Sequence, residues 1–165
     1  MDLRERVRDR VHDYYWEHDW NCAVTTLCTL SEVFEVPLNQ QVLEAALGMH
    51  GAGGYRAQCG LVEGALMFIG VAGKRWNLTE ETIVEACYDF AERFEDCFGS
   101  LACRQLRPEG FKPENLPHLC EELTRNAILF DIRFVSDRVA GRSRQDLARH
   151  ERLPGERPVS AEGRV

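Results

Sequence analysis

The sequence lacks every compact motif that would settle its chemistry at once. Its seven cysteines form no CxxC redox pair and no CxxCH haem-attachment signature, and no HExxH metal-binding helix is present. Covalent c-type haem is thereby excluded. No apolar stretch approaches the ~20 residues needed to cross a bilayer, the longest running from Ala65 to Gly73, so no membrane span is expected. The opening MDLRERVRDR alternates charges where a secretory signal would be continuously apolar, which points to the cytoplasm. Positive charge is scarce as well. The net charge is −7, and the last thirty residues hold seven Arg against five acids, which leaves −9 for the first 135. That balance argues against a nucleic-acid-binding core. An odd cysteine count without an export signal also argues against an extracellular disulfide framework and favours metal binding or thiol chemistry.

What the chain does have is helical periodicity in a length of 165 residues, 44% of them hydrophobic, which suits one globular domain. Residues 2–18 place Leu3, Val7, Val11, Tyr14 and Tyr15 on one face of a first helix, with Trp16 and Trp20 expected to anchor it in the core. Asn21 is suited to cap a second helix from Cys22 to about Val36, ended by Pro37. Asn39 caps a third, with Val42, Leu43, Ala46 and Leu47 as its stripe and Gly48 just beyond its end. A glycine-rich loop with Gly51, Gly53 and Gly54 then allows the chain to turn tightly before Cys59. No strand precedes this loop and no Gly-Lys-Ser/Thr closes it, so nucleotide binding is not implied.

From Cys59 onward, Leu61, Val62, Ala65, Leu66, Phe68 and Ile69 have the spacing of a buried helix. Gly60 and Gly64 strip one face of that helix, so another backbone or a bulky inorganic group can come close. Asn77 to Glu80 signals a long helix to about Asp96, with Ile83, Val84, Cys87, Phe90, Ala91, Phe94 and Cys97 in one apolar row. Ser100 is placed to cap a short helix carrying Cys103, and Pro117 to open the last main helix, with Cys120 near its start and Leu116, Leu119, Leu123, Ala127 and Phe130 on its apolar side. The expected fold is all-α: a compact bundle of five or six helices with a glycine-rich loop leading into a central helix. Residues 1–135 form a single helical cysteine-motif domain, and 136–165 an Arg-rich, disordered tail.

Helix position divides the cysteines. Cys22, Cys59, Cys103 and Cys120 fall in first helical turns, whereas Cys28, Cys87 and Cys97 lie on apolar stripes. A sulfur at a helix start faces unpaired amides and the positive end of the helix dipole, conditions that lower a thiol's pKa; Cys59, behind its glycines, is expected to feel this most. Cys59 is equally readable as a buried cysteine whose glycines only permit close packing. His50 and His118 lie near Cys59 and Cys120 in sequence, and Arg104 adjoins Cys103, as candidate supporting groups outside the ligand set.

Asn21-Cys22-Ala23, the glycine-rich approach to Cys59-Gly60-x-x-x-Gly64-Ala65, then Phe98-Gly99-Ser100-x-x-Cys103-Arg104 and Cys120 resemble the C_GCAxxG_C_C family over roughly residues 10–135. Leu61 departs from the Ala usual after Cys-Gly and enlarges a side chain beside the presumed site. The resemblance implies an all-α redox-active protein with Cys22, Cys59, Cys103 and Cys120 at one site. It also implies similarity to part of the split-Soret cytochromes, where such cysteines are associated with an iron–sulfur centre. Three functions follow: an iron–sulfur module for electron transfer or redox sensing, a thiol–disulfide oxidoreductase with Cys59 as attacking thiolate, and a structural zinc adaptor. Whether the chain is an enzyme is left open by these readings. A redox partner protein is expected, nucleic acid and membrane are not, and a homo-oligomer is left open.

Overall fold

The computed structural model describes residues 2–141. Asp2 starts α1 (Leu3–Trp16) through a capping box with Glu5, and Val7, Val11, Tyr14 and Tyr15 turn inward along it. Asn21 starts α2 (Cys22–Phe34), its Oδ1 accepting from the amides of Ala23 and Val24 at 2.9 and 3.0 Å. That helix ends at Glu35, whose φ of 54° is left-handed. After α3 (Gln40–Ala46) comes α4 (Gly51–Gly54), a single turn of left-handed residues with φ of 68°, 56°, 63° and 86° at Gly51, Ala52, Gly53 and Gly54. Glycine adopts this conformation without a steric penalty, which accounts for three of the four residues, and Ala52 adopts it at a cost that the turn around it offsets.

The long helices α5 (Gly60–Arg75) and α6 (Glu80–Phe98) follow, then the single turn α7 (Cys103–Leu106) and α8 (Glu121–Phe134), which continues into a π-helical segment, Val135–Ala140. Central in the bundle, α5 packs against α2 on one side and α6 on the other, while α8 closes over α1 and α2. Its Leu61, Val62, Phe68 and Ile69 are fully buried. At Gly64 an added Cβ would overlap the Ala23 carbonyl oxygen, so the missing side chain lets α2 lie directly on α5. A second layer of the core is aromatic: Phe90, Phe94 and Phe98 on α6 meet Phe130 of α8 with ring centroids 5.7–5.9 Å apart. Among the described residues no β-strand occurs, and no helix is long and apolar enough to cross a membrane.

The all-α bundle expected from periodicity is the observed one, with differences at the element edges. Trp16 is exposed rather than core, because its indole lies over His118 and donates to Glu121 at 3.0 Å. Leu47 and Leu116 stand on loops beside the bundle and are exposed, and Val84 and Cys97 fall outside the row Ile83, Ala86, Phe90, Phe94, Phe98 that α6 presents inward. Ser100 caps differently from the expectation: its Oγ accepts from Ala102 N, and Ala102 takes the N-cap position of α7. α8 begins at Glu121, later than Pro117, because His118 adopts a left-handed φ of 57°. Residues 136–141, expected in the tail, are packed: Val139 is fully buried and Arg138 pairs with Asp89 at 2.9 Å. The rest of the expected tail, 142–165, lies outside the described residues.

Candidate functional site

The four cysteines distinguished by helix position all open helices. Cys22 is the first residue of α2, Cys59 the N-cap of α5, Cys103 the first residue of α7 and Cys120 the N-cap of α8. A short antiparallel bridge between Gln58 and Ala102 brings two of these starts together. Beside it Cys59 N–H donates to Leu101 O at 2.8 Å and Cys103 N–H to Ala57 O at 2.7 Å, so the two cysteines emerge side by side. The left-handed turn before them supports this placement: a Cβ at Gly51 would stand 3.3 Å from Cys103 Cβ. Gly53 and Gly54 have open space around them and serve the turn through their φ angles alone.

Packing of α2 on α5 supplies the third thiol. A Cβ at Gly60 would overlap the Cys22 sulfur and lie 3.0 Å from Ala23 N, so Cys22 occupies the space that glycine leaves. The result is that the thiols of Cys22 and Cys103 lie on either side of Cys59 in sequence and close enough to it in space to shift its protonation. Cys120 lines the same cleft as Cys22, and Arg107 Nη1 donates to its Sγ at 3.7 Å. Arg107 is itself fixed, its Nε donating to Gly110 O at 3.0 Å and its guanidinium lying 4.8 Å from the Phe111 ring centre, a ring it shares with Arg56 at 4.2 Å.

The electrostatics differ from the expected acidified thiol. The Cys103 hydrogen bond draws the Cys59 pKa down, but the bond to Cys22, burial and the charge of Cys22 outweigh it and push Cys59 up to about 12. Cys103 is raised by its bond to Cys59, by burial and by the Cys59 charge, against the opposing Arg107 and Arg56. Burial raises Cys120, with Arg107 opposing. The helix-start effect is present, since the Leu61 amide favours the Cys59 thiolate, but crowding of thiols in a dry site overrides it. None of the other three cysteines enters these contacts: Cys28 is buried in the core with its pKa pushed up to about 11 by burial and Glu32, Cys87 is half-buried, and Cys97 is exposed.

A cleft of about 270 Å³ opens over the group, with Cys22 and Cys120 in its wall while Cys59 lies deeper and buried. His50 and His118 both line it, as their sequence positions suggested, whereas Arg104 faces solvent. Two contributors were not singled out from the sequence. Arg107 lies four residues after Cys103, a helical spacing that points to the same face, and Tyr15 lines the cleft with its hydroxyl 2.7 Å from Thr124 Oγ1. Burial first, then the Cys22 charge, raises the Tyr15 pKa far above its ordinary value, so it stays a neutral phenol.

As donors, four thiols with amides and two guanidiniums around them fit a thiolate-held cationic centre, which would replace protons that burial makes hard to lose. As they stand, no group of three or more His, Cys, Asp or Glu side chains among the described residues is set to hold a metal ion. The fit is therefore one of donor type and convergence, and not of a finished coordination cage. No curated protein and no solved structure matches the chain. Residues 20–130 match the family described as "Putative redox-active protein (C_GCAxxG_C_C)", a span that includes Cys22, Cys59, Cys103 and Cys120, and the chain belongs to that family.

Proposed function

We propose that the protein holds an iron–sulfur cluster on Cys22, Cys59, Cys103 and Cys120 and serves in electron transfer or redox sensing with a partner protein. The observation that carries this reading is the meeting of four helix starts: the backbone bridge sets Cys59 beside Cys103, the Cys22 sulfur fills the space left by Gly60, and Cys120 lines the same cleft as Cys22. When bound, such a cluster supplies one-electron redox chemistry. The chain's own part is to present four sulfurs and to stabilise their negative charge. Leu61 N–H acts on Cys59, Arg107 acts on Cys120 and, with Arg56, on Cys103. Packed apolar side chains, Leu61 among them, keep water from the rear of the site. Raised pKa values support metal binding over free nucleophilic chemistry, because a thiol near 12 is mostly protonated at neutral pH and a bound cation removes that obstacle.

One observation favours a second reading: Cys59 and Cys103, set side by side by the backbone bridge, suit a dithiol–disulfide couple. Anaerobic purification followed by visible absorption and by iron, acid-labile sulfide and zinc per chain separates the two. Matching iron and sulfide in wild type and Cys87→Ser, with most of both lost in Cys59→Ser, is the expected result. Equal iron in wild type and Cys59→Ser refutes the cluster. Metal-free protein after anaerobic reconstitution transfers the assignment to the dithiol couple, and zinc alone to a structural site.

A further inference from the structure

We infer that the cleft above the thiols binds a small free anion, a carboxylate or a phosphate-sized oxyanion, seated on Arg107. The guanidinium is held in advance of any ligand by the Gly110 carbonyl, the Phe111 ring and the Cys120 sulfur. Those contacts occupy Nε and Nη1, and among the described residues no carboxylate lies within ion-pair distance of Arg107. A fixed, half-buried guanidinium with an open edge matches the two adjacent oxygens of a carboxylate or oxyanion, and little rotamer freedom is lost on binding. This site is unusual in a domain whose first 135 residues carry −9.

The walls support the same polarity. The first turn of α2, thirteen residues long and free of acidic residues, opens at Cys22 beside Asn21, whereas the first turn of α8 carries Glu121 and Glu122 and adds no positive potential. His50 and His118 add ring nitrogens on either side, and Asp19 is the one acid lining the cleft. Size restricts the class of ligand. A volume of about 270 Å³ suits a small anion, which the cleft can take up whole. With Cys22 and Cys120 in the wall, a bound anion lies beside two sulfurs, so the thiol site is open to a small molecule and is not a sealed relay. This inference rests on the cleft and on Arg107, and holds whether or not the sulfurs carry iron.

The test uses full-length protein as isolated, with iron measured in every sample. Inorganic phosphate and acetate are titrated separately at constant ionic strength against a chloride control, followed by ¹H–¹⁵N NMR of the Arg107 Nε–H, the Trp20 indole and the Asn21 amide. Saturable shifts at these groups are expected with either anion, whichever of the two binds more tightly defining the oxyanion or carboxylate preference. Arg107→Gln should weaken binding at least tenfold, Arg107→Lys should retain part of it, and Arg104→Gln, whose side chain faces solvent and does not line the cleft, should change it by less than about twofold. No saturable shift in wild type, or equal binding in wild type and a folded Arg107→Gln, overturns the inference. Anion binding in protein that stays iron-free after anaerobic reconstitution would uphold it while rejecting the cluster, and iron without anion binding would do the reverse.

Discussion

Asp131 offers the most direct test of how the bundle is packed. Its carboxyl on α8 is fully buried, and neither oxygen has a hydrogen-bond partner among the described residues. Burial without a partner pushes its pKa well above the usual carboxylate value, so folding favours the protonated acid. In the unfolded chain the same group ionises near pH 4 or so. Below that pH both states carry the proton and no linkage arises. Above it the unfolded state gains from ionisation while the folded state does not, so stability falls by about 1.4 kcal/mol per pH unit until the folded group also ionises. Asp131→Asn keeps the size and polarity of the side chain and abolishes ionisation. Wild type and variant should therefore be nearly equal in stability at pH 4, with the variant gaining about 1.4 kcal/mol per pH unit above that until the folded carboxyl also ionises, where the gap levels off. Urea unfolding followed by circular dichroism, in reductant and at half-unit steps from pH 4 to 7, measures this. Taking the difference between the two proteins at each pH cancels the other titrating groups. Parallel curves across the range would refute the argument, since they would mean that Asp131 is solvated or paired in the folded protein.

Two further outcomes follow from close packing and capping. Gly64→Ala forces a methyl group onto the Ala23 carbonyl and should destabilise the protein by about 1–3 kcal/mol, whereas Gly70→Ala, on the same helix with nothing within 4 Å, should stabilise it by roughly 0.5–1 kcal/mol; denaturant midpoints that move in the same direction contradict the α2–α5 contact. Asn21→Ala removes the acceptor for the Ala23 and Val24 amides and the donor to Leu47 O, at a cost of about 1–2 kcal/mol, read as a lower midpoint in thermal unfolding. An unchanged midpoint would show that water replaces the cap at no cost.

Much of this architecture was legible because its signals are local. Asn21 names the start of α2, the glycines before Cys59 name a left-handed turn, and the row Ile83, Phe90, Phe94 names the inner face of α6. The same signals placed Cys22, Cys59, Cys103 and Cys120 at helix starts. Their convergence was not legible, since it depends on a bridge between Gln58 and Ala102 and on α2 lying against Gly60, contacts between residues far apart in the chain. The state of Cys59 was misjudged for a related reason. A helix dipole can be read from one segment, but the neighbouring thiols of Cys22 and Cys103 that outweigh it come from two others. Arg107 follows a helix of a single turn, too short to give a readable face, and Trp16, an aromatic near a helix end, reads as core from sequence because its surface partners, His118 and Glu121, lie about a hundred residues away.

The bridge between Gln58 and Ala102 also decides where this chain tolerates changes in length. Successive residues of extended backbone point to opposite sides, so inserting one residue between Gln58 and Cys59, or between Ala102 and Cys103, would turn a thiol away from its partner. Between those points the chain leaves through α5 and returns through α6, and the turn that joins these helices at 76–79 touches neither cysteine. A loop lengthened there adds little closure entropy and leaves the bridge in register. The same holds for the connector at 112–117 ahead of Cys120. Spacing between the cysteines is therefore a loose property of the sequence, whereas the single residues flanking Cys59 and Cys103 are fixed in number.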